Sequence, residues 1–132
     1  MKIDLCLTAV DLKKQYLLQF PITKLFWNEV IGIPFKVILI ADKIPKGFER
    51  YRKDIILFPP IPNMHTAYQA QCVRLLYPAL MKEYNNSILV SDMDLVPLSK
   101  KFFIDMAKDI SSEKFLYYRS AYLSRQMMGI LN

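Results

Sequence analysis

The run Phe35-Lys36-Val37-Ile38-Leu39-Ile40-Ala41 constrains this chain more than any other feature. It is too apolar along its length to be a strand with one wet face. Such a strand needs cover on both sides, as in a parallel sheet with helices on both faces. Shorter runs of similar character recur at residues 3–8, 55–58 and 87–91, with a further candidate at 115–118. Helical spacing fills the gaps. Asp11 is placed to cap a helix running toward Phe20, and Pro21 restarts or kinks it. Leu25, Phe26, Trp27 and Val30 carry a helical pattern that ends near Gly32 and Pro34. Residues 65–84 form the longest helix candidate, with a break at Pro78, and Ser99 caps a short helix over 100–110. His65 reads as a loop or cap residue. The order β-α-β-β-α-β-α-β predicts an α/β fold, a three-layer α/β/α sandwich with a mainly parallel sheet.

Size and composition narrow the function classes. At 132 residues the chain holds one domain, residues 1–132. Its 53% hydrophobic content against 23% charged excludes intrinsic disorder. With 3 glycines it has no Gly-rich phosphate loop. Cys6 and Cys72 lie among apolar neighbours and read as buried thiols in a reducing, cytoplasmic compartment. Asp4 and Asp11 interrupt any signal-peptide core, and no apolar stretch is long enough to span a membrane. Residues 125–132 look like the opening of another apolar element, so the chain reads as truncated; the plain alternative is a genuine C-terminal strand.

The net charge of +6 suits a phosphate-bearing ligand, a nucleic acid or an anionic surface. The cations scatter along the sequence, which argues against nucleic acid. Residues 43–53 are the one concentrated basic patch, interleaved with Phe48 and Tyr51. That patch reads as a solvated face or as a peripheral contact with an anionic membrane. An open sheet edge would also allow self-association.

The chemistry concentrates in Ser87-Ile88-Leu89-Val90-Ser91-Asp92-Met93-Asp94-Leu95-Val96. An apolar strand runs into two aspartates at i and i+2, which in extended backbone point to the same side. Ligands of open α/β sheets sit at the carboxyl ends of the strands. Two ionised carboxylates about 6 Å apart repel by roughly 3 kcal/mol at an effective dielectric of about 20. A hard divalent cation, Mn²⁺ or Mg²⁺, offsets that repulsion. The plain alternative is a solvated Asp-x-Asp turn. On the preceding helix, Gln71 and Arg74 are i, i+3 neighbours. A guanidinium on a mostly apolar helix calls for an anion, either a phosphate or Asp92 and Asp94. Its plain alternative is a surface arginine.

The segment Arg74-Leu75-Leu76-Tyr77-Pro78, a short spacer, and then the strand ending in Asp92-Met93-Asp94 resembles the Arg-helix and DxD block of GT-A-fold glycosyltransferases. It is most similar to the family-eight type and to small viral glycosyltransferase domains. The block runs over residues 67–98, with a weaker likeness over 1–98. The resemblance implies the donor-binding half of a nucleotide-diphospho-sugar transferase. Asp94 would ligate Mn²⁺ or Mg²⁺. Asp92 would contact the ribose and share the metal. Arg74, with Gln71 beside it, would face the diphosphate or sugar. Thr8 and Ala9, ending the first strand, would sit near the base, and Asp42, closing the second, near the base or ribose. The acceptor, whether glycan, lipid or protein, is not specified. No catalytic base is named, since the resemblance implies that the acceptor site and any such base lie downstream of the residues present.

Asp92-Met93-Asp94-Leu95-Val96 also fits the signature of haloacid-dehalogenase-like phosphatases, with Asp92 as nucleophile. That family carries its motif on the first strand, whereas residues 1–91 precede it here. A non-catalytic fragment binding a nucleotide or nucleic acid is the remaining alternative.

Overall fold

A computed structural model describes residues 1–111 with residues 113, 114, 116 and 118. Four strands form one sheet: β1 (Ile3–Val10), β2 (Phe35–Ile40), β3 (Ile55–Phe58) and β4 (Ser87–Val90). Their spatial order is β3-β2-β1-β4, and every pairing is parallel. The α/β class and the parallel sheet expected from the apolar runs are thus present. Part of the strand candidate at 115–118, and all of 119–132, lie outside the described residues.

The connections explain the layers. β1 leads into α1 (Lys14–Leu25), which passes through Pro21 and widens into a π turn, Phe26–Ile31. Gly32 ends that turn at φ 83°, a left-handed conformation that glycine adopts without strain. β2 connects to β3 through a 3-10 turn, Glu49–Asp54, and β3 connects to β4 through α2 (Thr66–Leu76). After β4 come α3 (Lys100–Phe103), whose N-cap Ser99 accepts a bond from the Phe102 N–H at 3.2 Å, and a 3-10 turn, Asp105–Ala107. Two expected helices are shorter in the structure. The long candidate stops at Leu76, where Tyr77–Leu80 tightens to 3-10 around Pro78. The helix begun by Ser99 gives way to 3-10 after one turn.

The two faces of the sheet carry different cores. One face buries Cys6, Val10, Phe35, Val37 and Leu39 against Phe20, Trp27 and Ile31 of the α1 segment. Trp27 lies parallel to Phe35 at 6.4 Å and meets the edge of Phe103 at 5.0 Å, tying α3 into the same layer. The other face buries Leu5, Leu7, Ala9, Ile38 and Ile40 against Ala70 of α2. Apart from the half-buried Asp4 and Lys36, the side chains of β1 and β2 are therefore buried on both faces. Each buried Leu or Ile contributes about 1.5–3 kcal/mol of transfer free energy. Cys6 is buried, and its thiol is pushed well above its ordinary value by desolvation, whereas Cys72 is only half-buried. Among the described residues no helix is long and apolar enough to cross a membrane.

Candidate functional site

The strand order sets the position of the site. The chain lays β2 and β3 on one side of β1, then returns to place β4 on the other. The carboxyl ends of β1 and β4 therefore diverge in their connections, one to α1 and one to the Asp-x-Asp segment. Crevices in open α/β sheets form at such a switch point. Here it holds a cleft of about 260 Å³, lined by Ala9, Asp11, Gln71, Arg74, Asp92 and Asp94 among others.

Each element presents its side chains for a local reason. On α2, Ala67, Ala70, Gln71 and Arg74 share one face. The two alanines let the helix approach the sheet, and the longer polar pair then reaches over its edge. The N-terminus of α2 is fixed by His65, the cap residue expected, whose Nδ1 accepts a bond from the Ala67 N–H at 3.3 Å. Gln69 is buried, and its side-chain amide holds the loop after β3, donating to the Pro59 carbonyl (2.8 Å) and accepting from the Ile61 N–H (3.0 Å).

The strand β4 ends at Val90, so Asp92 and Asp94 do not lie in extended strand as the spacing alone suggests. They sit in a turn in which the Leu95 N–H approaches the Asp92 carbonyl at 3.4 Å. Alternation survives beyond the strand: Ser91 and Met93 are buried while Asp92 and Asp94 are exposed. Met93 anchors the turn in the α1-side core. Thr23, buried on α1, donates its hydroxyl proton to the Met93 carbonyl at 2.8 Å. Met93 thus holds the turn from both its side chain and its backbone, and both carboxylates face the cleft.

The charges are unequally engaged. Arg74 pairs with Asp92 through a guanidinium nitrogen. The arginine side chain is 23% exposed and that of Asp92 is 61% exposed, so the pair sits at the rim. Arg74 Nε is buried and has no hydrogen-bond partner among the described residues. Asp94 likewise has neither a hydrogen bond nor an ion pair among the described residues. Asp11, at the end of β1, is buried and fully used. Its carboxylate accepts from the Lys13 N–H and from the Thr66 hydroxyl, both at 3.2 Å, which joins β1 to the start of α2. The expected helix cap at Asp11 is therefore a turn contact that also ties two elements together. Among the described residues no three His, Cys, Asp or Glu side chains converge as a metal-ligating group. A cation here would be held by Asp94 and Asp92 and complete its shell with water or ligand oxygens, as Mg²⁺ commonly does.

The structure brings together Ala9, Gln71, Arg74, Asp92 and Asp94 from the residues singled out in the sequence. It does not bring Thr8 or Asp42 to the cleft. Thr8 is fully buried, shares the α1-side face with Cys6 and Val10, and its hydroxyl has no partner among the described residues. Asp42 is exposed beyond β2, on the other side of β1 from β4. Thr23, Asp11 and Gln69 are the residues that sequence reasoning missed as builders of the site. Alternation signals the turn of Asp11 toward a buried position. Nothing local signals that Thr23 meets a carbonyl seventy residues away. The strand that a phosphatase of the haloacid-dehalogenase type would use, β1, ends in this hydrogen-bonded Asp11, and Asp92 follows the edge strand instead.

No family model matches the chain, and no curated protein or solved structure is significantly similar to it.

Proposed function

We propose that this domain binds a nucleoside-diphosphate sugar in the switch-point cleft and acts as a divalent-metal-dependent glycosyltransferase of the GT-A type. The observation that carries the reading is the meeting of Arg74 and Gln71, from α2, with Asp92 and Asp94, from the turn after β4, in one cleft at the carboxyl edge of a parallel sheet. Arg74 and a cation supply the positive charge that a diphosphate needs. The carboxylates supply the hard oxygen ligands that Mn²⁺ or Mg²⁺ prefers.

The chemistry follows from where charge develops. When a glycosidic bond to a nucleoside diphosphate breaks, negative charge grows on the departing phosphate. A bound cation neutralises part of that charge. Arg74 is positioned to stabilise the same oxygens, and its pairing with Asp92 orients the guanidinium before the ligand arrives. Asp94, which has no partner among the described residues, is the main carboxylate for the cation, with the Asp92 oxygen that Arg74 does not engage beside it. Gln71 offers a neutral donor and acceptor beside Arg74. Ala9 leaves room at the end of β1 for a flat group such as a base.

Thermal unfolding in the presence of UDP, GDP and their sugars, with and without Mn²⁺, tests the reading. A ligand at a hundred times its Kd stabilises by about 2.7 kcal/mol. The expected result is a stabilisation that requires Mn²⁺, vanishes in Asp94→Ala and weakens in Arg74→Ala. If no nucleotide shifts the transition under any of these conditions, the reading fails.

A further inference from the structure

We infer that the outer surface of α1 is a docking face for an anionic lipid bilayer, independent of the cleft and of the glycosyltransferase reading. Leu18, Ile22 and Leu25 stand at i, i+4 and i+7, so they form one ridge along the helix. They are 63%, 54% and 56% exposed. The inward face of α1 already fills the core through Phe20 and Thr23, so this ridge is a second apolar face on one helix. Single exposed leucines are ordinary, whereas an aligned apolar ridge outside the core is a face that an occupant would cover.

The charges around the ridge say which occupant. On one flank lies the 3-10 turn Glu49–Asp54, packed on α1 by the Phe20–Tyr51 ring contact at 5.2 Å and by the Lys24–Asp54 ion pair at 3.5 Å. It exposes Arg50, Arg52 and Lys53. On the other flank lies α3, packed on the π turn through Phe103 and Trp27, and it exposes Lys100 and Lys101. A Cβ at Gly32 would lie 3.8 Å from the Lys100 ammonium, which places that charge at the end of the α1 segment. Lys13 and Lys14 stand at the other end of α1. The acidic groups of this layer are fewer. Asp54 is paired with Lys24, Glu49 accepts from the Gly47 N–H, Asp105 is paired with Lys108 and lies near Lys100 and Lys101, and Glu29 and Asp109 are exposed. Cations that scatter along the sequence are thus carried on elements that pack beside the α1 segment. Apolar side chains entering the headgroup boundary, ringed by cations facing lipid phosphates, are the pattern of an interfacial helix. A protein partner would need the ridge but not the ring of charge, and a nucleic acid would need the charge but not the ridge.

Vesicle flotation separates these cases. The full chain is mixed with phosphatidylcholine vesicles, or with vesicles also containing phosphatidylserine, at low and high salt. The expected result is binding to the anionic vesicles alone, weakened by salt. Leu18→Ser with Ile22→Ser should abolish it, and Arg50→Ala with Lys53→Ala should weaken partition about thirty-fold. All four positions are exposed, and an unchanged circular dichroism spectrum and melting temperature show that each variant folds. No flotation with anionic vesicles overturns the inference. So does salt-sensitive binding that the Leu18 and Ile22 changes leave intact, which is the behaviour of a polyanion site. A wild-type dimer in solution that these two changes dissociate, without flotation, overturns it in favour of a second copy of the chain.

Discussion

The β1–β4 pair carries carboxylates at both of its ends, and the protein treats them oppositely. At the amino end, Asp4 is met on both oxygens by Asn86, whose side-chain amide donates at 3.1 and 2.9 Å and whose backbone N–H donates at 3.2 Å. The register of the pair shifts between Ile3 and Leu5, so this contact pins the strands where the ladder is irregular. The Asn86 side chain, helped by Lys2, holds the Asp4 carboxyl below its ordinary range. At the carboxyl end, Asp11 is bound by its own chain and Thr66, Asp92 is bound by Arg74, and Asp94 has no partner among the described residues. The difference teaches how to separate structural carboxylates from working ones. A carboxylate whose oxygens are satisfied within the fold is part of the scaffold. One that the fold brings to a cleft and leaves unsatisfied is available to a ligand.

Replacing residues one at a time should sort these groups by stability. Asp11→Ala removes a buried acceptor and leaves the Lys13 N–H and the Thr66 hydroxyl unpaired, which should cost about 1–3 kcal/mol in denaturant unfolding. A change as small as that for a surface residue would show that Asp11 belongs with the ligand-facing group. Thr23→Val deletes the buried bond to the Met93 carbonyl at constant shape and should cost about 1–2 kcal/mol. It should also reduce any Mn²⁺-dependent nucleotide shift, because the turn carrying both aspartates loses its backbone anchor. An unaltered ligand response would show that the Met93 side chain alone positions the turn.

The acid limb of stability supplies a smaller test at the amino end. A carboxylate held below its ordinary value contributes stability that is fully present above that value and disappears as pH falls through the folded one. For Asp4 the loss should therefore begin below pH 3.8, and Asn86→Ala should flatten it. An acid limb identical in the variant would remove Asn86 as its cause. Asp94→Ala should have the least effect on stability, within about 0.5 kcal/mol, as for an exposed side chain without partners. A large destabilisation there would place Asp94 with Asp4 and Asp11 as scaffold.

The strands were legible because their signal is local. Residues 55–58 and 87–90 are strand almost to the residue, and β1 runs only two residues past its predicted end. Apolar runs bounded by turn residues need no knowledge of partners. The outward alternation of Asp92 and Asp94 was legible for the same reason, although the backbone there is a turn. The residues of β1 that meet the cleft were not. Thr8 and Ala9 are adjacent, both buried, and equally placed in sequence. Only the tertiary packing at the carboxyl end of β1 puts Ala9, with Val10 and Asp11, at the cleft and leaves Thr8 in the interior.

By itself, then, the sequence determined the elements, their α/β class and the residue types that carry charge near one strand end, because these depend on side-chain periodicity over a few residues. The tertiary structure alone decided that β4 lies beside β1, that Thr23 holds the Met93 carbonyl, and that Arg74 faces Asp92. These three facts rest on pairings between segments far apart in the chain. Such pairings are selected by the burial of whole faces rather than by any local pattern.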